Sequence, residues 1–330
     1  MSPLAPALVA ALVGGIALVL GAAPFDSIAA DPHTDPNTDP TAGARHRASG
    51  SQLGSSAASA RASLVAEHQS AQPGSTTWIG VEIDIAKDWH VYWTNPGDAG
   101  LPTKLAVDAP AGIAVGAPRW PAPTWFVAGP IGSYGYGGRL LIALPVEVAA
   151  DQPAGPHRVS IRANWLLCHD DEGCFPGGAD LVINLDVAPG QPKPSRAADR
   201  FEAARAAWPR PTTDWRVELR VNGSAQAEGD WLLTLELPPK DPDSGAPERA
   251  QAFDLARHDA HFFPFESGLI EPSEPQAATV HGRRLDLQLV RSVKRQDAPG
   301  GELAGVLVLR PFDGGTELAF ELRAPMRESS

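Results

Sequence analysis

Between Arg61 and Val187 the sequence is cut into short runs that alternate apolar and polar residues, each closed by turn residues. Thr77-Trp-Ile-Gly-Val-Glu-Ile-Asp-Ile-Ala86 is the clearest, with Ile79, Val81, Ile83 and Ile85 at every second position. A period of two belongs to a half-buried β-strand, whose successive side chains point to opposite faces. Comparable runs lie at residues 63–68, 89–93, 101–107, 139–148, 158–167 and 180–187. Asn95-Pro-Gly-Asp98, Pro110-Ala-Gly112 and Gly137-Gly138 supply turns between them. No helical period intervenes. Residues 61–188 are therefore expected to form an immunoglobulin-like antiparallel β-sandwich. The 33 prolines and 32 glycines agree with an all-β chain of short strands and many turns.

The chain has 330 residues, enough for about two cores of ordinary size. Residues 189–195, Pro-Gly-Gln-Pro-Lys-Pro-Ser, read as a stiff linker. One short helix is expected over 199–208, with Phe201, Ala204 and Trp208 on one face and Pro209 ending it. Linker and helix together occupy 189–212. Strand-like runs return at 215–221, 231–237, 284–290, 303–309 and 317–322. They predict a second, smaller β-sandwich over 213–325 that holds no cysteine.

Residues 1–30 begin with an apolar run, Leu4 to Ala23, without a charged side chain, followed by small residues that suit a cleavage site. This reads as an export signal. The run is also long enough to stay as an uncleaved anchor, in which case the chain would contact a membrane. Residues 31–60 are rich in Asp, Pro, Thr, Ser and Gly and read as a disordered tether. The net charge of −12 argues against nucleic acid as a partner, since phosphate binding needs clustered Lys and Arg.

Two cysteines, Cys168 and Cys174, are the only ones in the chain. They lie in Trp165-Leu-Leu-Cys-His-Asp-Asp-Glu-Gly-Cys-Phe-Pro176. Five intervening residues, with Gly173 among them, let the chain turn back within disulfide range. As a staple, so short a loop would contribute only about 2.4 kcal/mol. A domain of this size hardly needs that, so a redox pair fits better. A structural disulfide and a copper site drawing on Cys168, His169 and Cys174 are the alternatives. Asp170, Asp171 and Glu172 are expected to raise the thiol pKa values, and His169 would oppose them only when protonated. No P-loop, G-x-S-x-G, HExxH or paired-carboxylate motif occurs. Tyr134-Gly-Tyr136-Gly-Gly138 places two of the three tyrosines between glycines, which suits a mobile loop tip.

Several motifs occur together in order: Trp-His-x-Tyr-Trp-x-Asn-Pro-Gly-Asp-x-Gly-Leu-Pro (89–102), Trp-Pro-Ala-Pro (120–123), Tyr-Gly-Tyr-x-Gly (134–138), Leu-Pro-Val (144–146) and Trp-Leu-x-Cys…Cys-x-Pro (165–176). As a set they resemble the N-terminal periplasmic domain of the DsbD thiol:disulfide interchange family, especially its ScsB-like branch. His261-Phe-Phe-Pro264 and Ile270-Glu-Pro resemble the segment that follows in that branch, so the likeness runs to about residue 324. The resemblance implies a periplasmic electron relay that serves disulfide isomerisation and cytochrome c maturation. Its partners would be thioredoxin-like periplasmic proteins, and no metal or organic cofactor is expected. It further implies that Cys174 forms the mixed disulfide, that Cys168 resolves it, and that Tyr134 or Tyr136 caps the pair. No membrane-embedded or thioredoxin-like stretch occurs through Ser330, so the expectation is either that a separate membrane protein supplies the electrons or that this form has another role.

Overall fold

The computed structural model describes residues 59–212, 215–221, 230–237, 254–292 and 301–327. The expected export signal or anchor lies outside them, as does the tether apart from its last two residues. None of the described helices is long and apolar enough to cross a membrane.

The first sandwich runs from β1 (Ala60–Ala66) through β2 (Thr76–Ile85), β3 (Trp89–Gly97), β4 (Lys104–Asp108), β5 (Ile113–Val115), β6 (Thr124–Ala128), β7 (Ile131–Tyr136), β8 (Arg139–Val148), β9 (Gly155–His169) and β10 (Gly173–Val187). One sheet has the order β1-β2-β8-β5. The other has the order β10-β9-β3-β7-β6, with β4 also paired to β9. Every pairing within these two sheets is antiparallel. The isoleucines and valine of β2 face Val91, Trp93, Ile161 and Leu167 in one apolar core. Each such side chain contributes about 1.5–3 kcal/mol by leaving water.

The helix α1 (Ala198–Ala206) stops two residues short of the expected end. Its Phe201 is fully buried over Gly80, where an added Cβ would stand 3.1 Å from the ring. Two ion pairs fix it to the first sheet, Arg200–Glu82 and Arg205–Glu67.

The second sandwich contains β11 (Arg210–Pro211), β12 (Arg216–Val221), β13 (Trp231–Glu236), β14 (His258–Pro264), β15 (Ala278–His281), β16 (Arg284–Leu289), β17 (Glu302–Pro311) and β18 (Leu318–Arg327). Their order is β14-β17-β18-β12-β13-β16-β15, with β11 paired to β18. β18 joins the two halves, pairing antiparallel with β17 and, at Met326 and Arg327, parallel with β12.

β14 and β17 are apolar on both faces. Phe262, Leu307 and Leu309 enter the core of the second sandwich. Phe263, Val306 and Val308 enter the core of the first. The two sandwiches thus share apolar packing where they meet.

Candidate functional site

Strand register builds the site. Cys174 stands directly opposite Cys168 across the β9–β10 hairpin, with their Cα atoms 4.1 Å apart, and the two are joined as a disulfide. On the other side of β9, Cys168 stands opposite His90 of β3. His90, Cys168 and Cys174 therefore form a row across three strands on the outer face of the sheet. The two sulfurs differ in access. Cys168 is 2% exposed, whereas Cys174 is exposed on β10, the last strand of its sheet.

Two residues beyond His90, on the same face, lies Tyr92. Its hydroxyl donates to Cys168 Sγ at 3.1 Å. His90 Nε2 lies 3.4 Å from the same hydroxyl. The order His90 Nε2–H to Tyr92 Oη–H to Cys168 Sγ satisfies every member with a neutral imidazole. Burial lowers the His90 pKa, against the opposing pull of Asp170, and so keeps the ring neutral. Burial raises the Tyr92 pKa, against the opposing hydrogen bond with Ser133 and with the charge of Asp170 adding a smaller push, so the phenol keeps its proton. Phe126 of β6 stacks on His90 with ring centroids 4.8 Å apart. None of Tyr92, His90 and Phe126 was singled out as a site residue from sequence. The period of two through Trp89-His-Val-Tyr-Trp93 was the available signal, since it puts His90 and Tyr92 on the face opposite the core residues Val91 and Trp93.

The turn between the cysteines carries Asp170, Asp171 and Glu172, all three exposed. His169 Nδ1 accepts hydrogen bonds from the backbone N–H groups of Asp171 and Glu172 at 3.1 and 3.3 Å. Its ring lies against Trp89, 5.2 Å between centroids. The imidazole thus shapes the turn from the pleat opposite Cys168.

Tyr134 and Tyr136 correct an expectation. The glycine-rich stretch is not a loop tip but the strand β7, paired to both β3 and β6. Alternation along β7 turns both tyrosines into the core, 0% and 6% exposed, on the face away from the disulfide. Tyr136 donates to the Pro121 carbonyl at 2.9 Å and stacks on Trp120. Tyr134 packs edge-on against Phe263. The glycines between them serve close approach: a Cβ on Gly135 would lie 2.1 Å from the Val91 carbonyl oxygen. The aromatic ring seated on the row of site residues at His90 is Phe126.

Fold and site together define an immunoglobulin-like β-sandwich that carries a surface disulfide between one buried and one exposed cysteine. Residues 61–186 match the family model described as thiol:disulfide interchange protein DsbD, N-terminal. Among solved structures, the N-terminal periplasmic domain of ScsB from Proteus mirabilis superimposes with a TM-score of 0.57 at 15% identity. That match covers 84% of this chain and 98% of the other, so it takes in much of the second sandwich as well. The DsbD N-terminal domain of Neisseria meningitidis in its reduced form matches at 17% identity and a TM-score of 0.25, over 38% of this chain and 86% of that one. No curated protein matches the sequence.

Proposed function

We propose that this chain is a periplasmic thiol–disulfide exchange module that relays two electrons at a time through Cys168 and Cys174. The observation that carries the reading is the asymmetry of the pair: Cys174 is exposed at a sheet edge, while Cys168 is buried with the Tyr92 hydroxyl on its sulfur.

A thiolate of an electron donor attacks Cys174 Sγ. A mixed disulfide forms, the Cys174–Cys168 bond breaks, and Cys168 leaves as a thiolate that the Tyr92 hydroxyl stabilises. A second thiolate of the donor then attacks the mixed disulfide and releases Cys174. In the reduced module, the Cys174 thiolate attacks a partner disulfide and forms a second mixed disulfide. Cys168 attacks Cys174 Sγ, which restores the internal disulfide and leaves the partner reduced. No metal or organic cofactor enters these steps.

The partners fitting this chemistry are thioredoxin-like periplasmic proteins on the acceptor side and a separate membrane protein as donor. Disulfide isomerisation and cytochrome c maturation are the processes such acceptors serve in the family the sequence resembles. The catalytic sulfurs in this reading are Cys174, which meets partners, and Cys168, which resolves them. Its test is the reduction potential of the pair. A value above about −300 mV fits a relay, and a markedly lower one would indicate an inert structural bond.

A further inference from the structure

The second sandwich meets the first at the strand that covers His90. β6 is two-faced. Phe126 lies on the outer face, stacked on His90. Its neighbour Trp125 turns to the other side, where its ring stacks on His261 of β14 with centroids 4.7 Å apart. The Trp125 indole N–H donates to the Pro272 carbonyl at 2.7 Å. The β6–β7 turn rests on the same segment, since a Cβ on Gly132 would stand 2.2 Å from the Pro272 carbonyl carbon. Beside it, the Asn95 side-chain amide donates to the Pro264 and Glu266 carbonyls at 2.8 and 3.3 Å. The hairpin that presents Phe126 is thus held from behind by the second sandwich.

That hold has a chemical consequence. A thiolate attacks a disulfide sulfur in line with the bond that breaks. The row His90–Cys168–Cys174 leaves the in-line approach to Cys174 on the open edge of β10. The in-line approach to Cys168 runs toward its cross-strand neighbour His90, on which the Phe126 ring stacks. We propose that the second sandwich, by anchoring β6 at Trp125, keeps Phe126 seated on His90 and thereby confines exchange to Cys174. Trp125 is a positioning residue in this scheme, and selection of the reacting sulfur is a role for the second sandwich. The inference rests on the reading of the pair as an exchanging disulfide.

Competitive alkylation tests it. The full chain is reduced, freed of reductant and given a limiting amount of N-ethylmaleimide. Peptide mass spectrometry then gives the ratio of adduct on Cys168 to adduct on Cys174. The unmodified sequence should react almost wholly at Cys174. Trp125→Ala and Phe126→Ala should each raise the Cys168 share about five- to tenfold, the effect of losing one aromatic stacking contact. The double variant should match Phe126→Ala alone, because Trp125 acts through Phe126. Trp125→Phe, which keeps a ring and loses the N–H donor, should give a smaller shift that vanishes in the Phe126→Ala background. It carries the test if Trp125→Ala does not fold. An unchanged ratio in either single variant overturns the proposal. So does a double variant that exceeds Phe126→Ala, since Trp125 would then act by general loosening. No partner protein enters this measurement, so its outcome is separate from whether the chain relays electrons.

Discussion

The Tyr92 hydroxyl sits 3.1 Å from Cys168 Sγ and donates a hydrogen bond to it, from a strand that is a neighbour of β9 in space and 76 residues away in sequence. This contact reaches the buried sulfur, the one that must accept negative charge when Cys174 is attacked. A hydrogen bond to an ionised group is roughly twice as strong as a neutral one. Tyr92→Phe keeps the ring and deletes the donor. Reduction of the disulfide by dithiothreitol at pH 7 should slow about tenfold, the kinetic equivalent of one such bond at about 1.4 kcal/mol. Stopped-flow tryptophan fluorescence can follow the reaction. An unchanged rate would remove Tyr92 from the exchange step.

Acid should weaken the junction between the sandwiches through His261. Burial, with a smaller push from Arg310, lowers its pKa from 6.5 to about 3. The unfolded chain therefore takes up a proton between those values that the folded chain refuses. Stability from this group is complete above pH 6.5 and declines as the pH falls toward 3. Between pH 7 and pH 4 the loss should be on the order of 3 kcal/mol. His261→Phe keeps an aromatic ring against Trp125 and removes the titrating group. Urea unfolding at the two pH values should show the pH-dependent loss reduced by about that amount. An identical loss in both chains would contradict the assignment.

Gly135 and Gly138 should respond differently to alanine. At Gly135 a Cβ would strike the Val91 carbonyl oxygen at 2.1 Å, and Tyr92 lies on the same strand. Overpacking of backbone against backbone there should cost about 3 kcal/mol. Gly138 has φ of 68° and nothing within 4 Å of the added carbon, so its alanine variant should lose about 1 kcal/mol from backbone strain alone. Denaturant midpoints of the two variants decide the comparison. Equal losses would mean that close strand approach at Gly135 contributes nothing special.

The strands with one wet face were legible in the sequence. β9 and the end of β10 alternate cleanly, because each has one side in a core and the other in solvent. β14 was not foreseen. Its His-Asp-Ala-His-Phe-Phe-Pro run feeds two cores at once, so a period of two is blurred. β7 was misread for a related reason. Glycine is poor in strands as a rule, and its meaning here lies in backbones that approach from β3 and from Pro272, which no local pattern reports.

Site legibility divides along the same line. The cysteine pair was plain from spacing, since a hairpin brings the two sulfurs together through local chain alone. Tyr92 and His90 required the β3–β9 register, and Phe126 required the β6–β7 pairing, both of which join distant parts of the chain. The glycine-flanked tyrosines suggested a loop tip by composition, and the family resemblance made them the cap. Alternation on β7 sends them inward, and the ring seated on the outer face at His90 is Phe126.

The central claim is that Cys174 exchanges disulfides with partner proteins and that Cys168 resolves the product. Cys168→Ala should strand the mixed disulfide on Cys174. Expression of this variant in the native host, acid quenching and non-reducing separation should yield adducts that dithiothreitol releases, with thioredoxin-like proteins among them. Cys174→Ala should yield none. Absence of any reducible adduct on Cys174 in the Cys168→Ala chain, at expression equal to the unmodified protein, would contradict the relay.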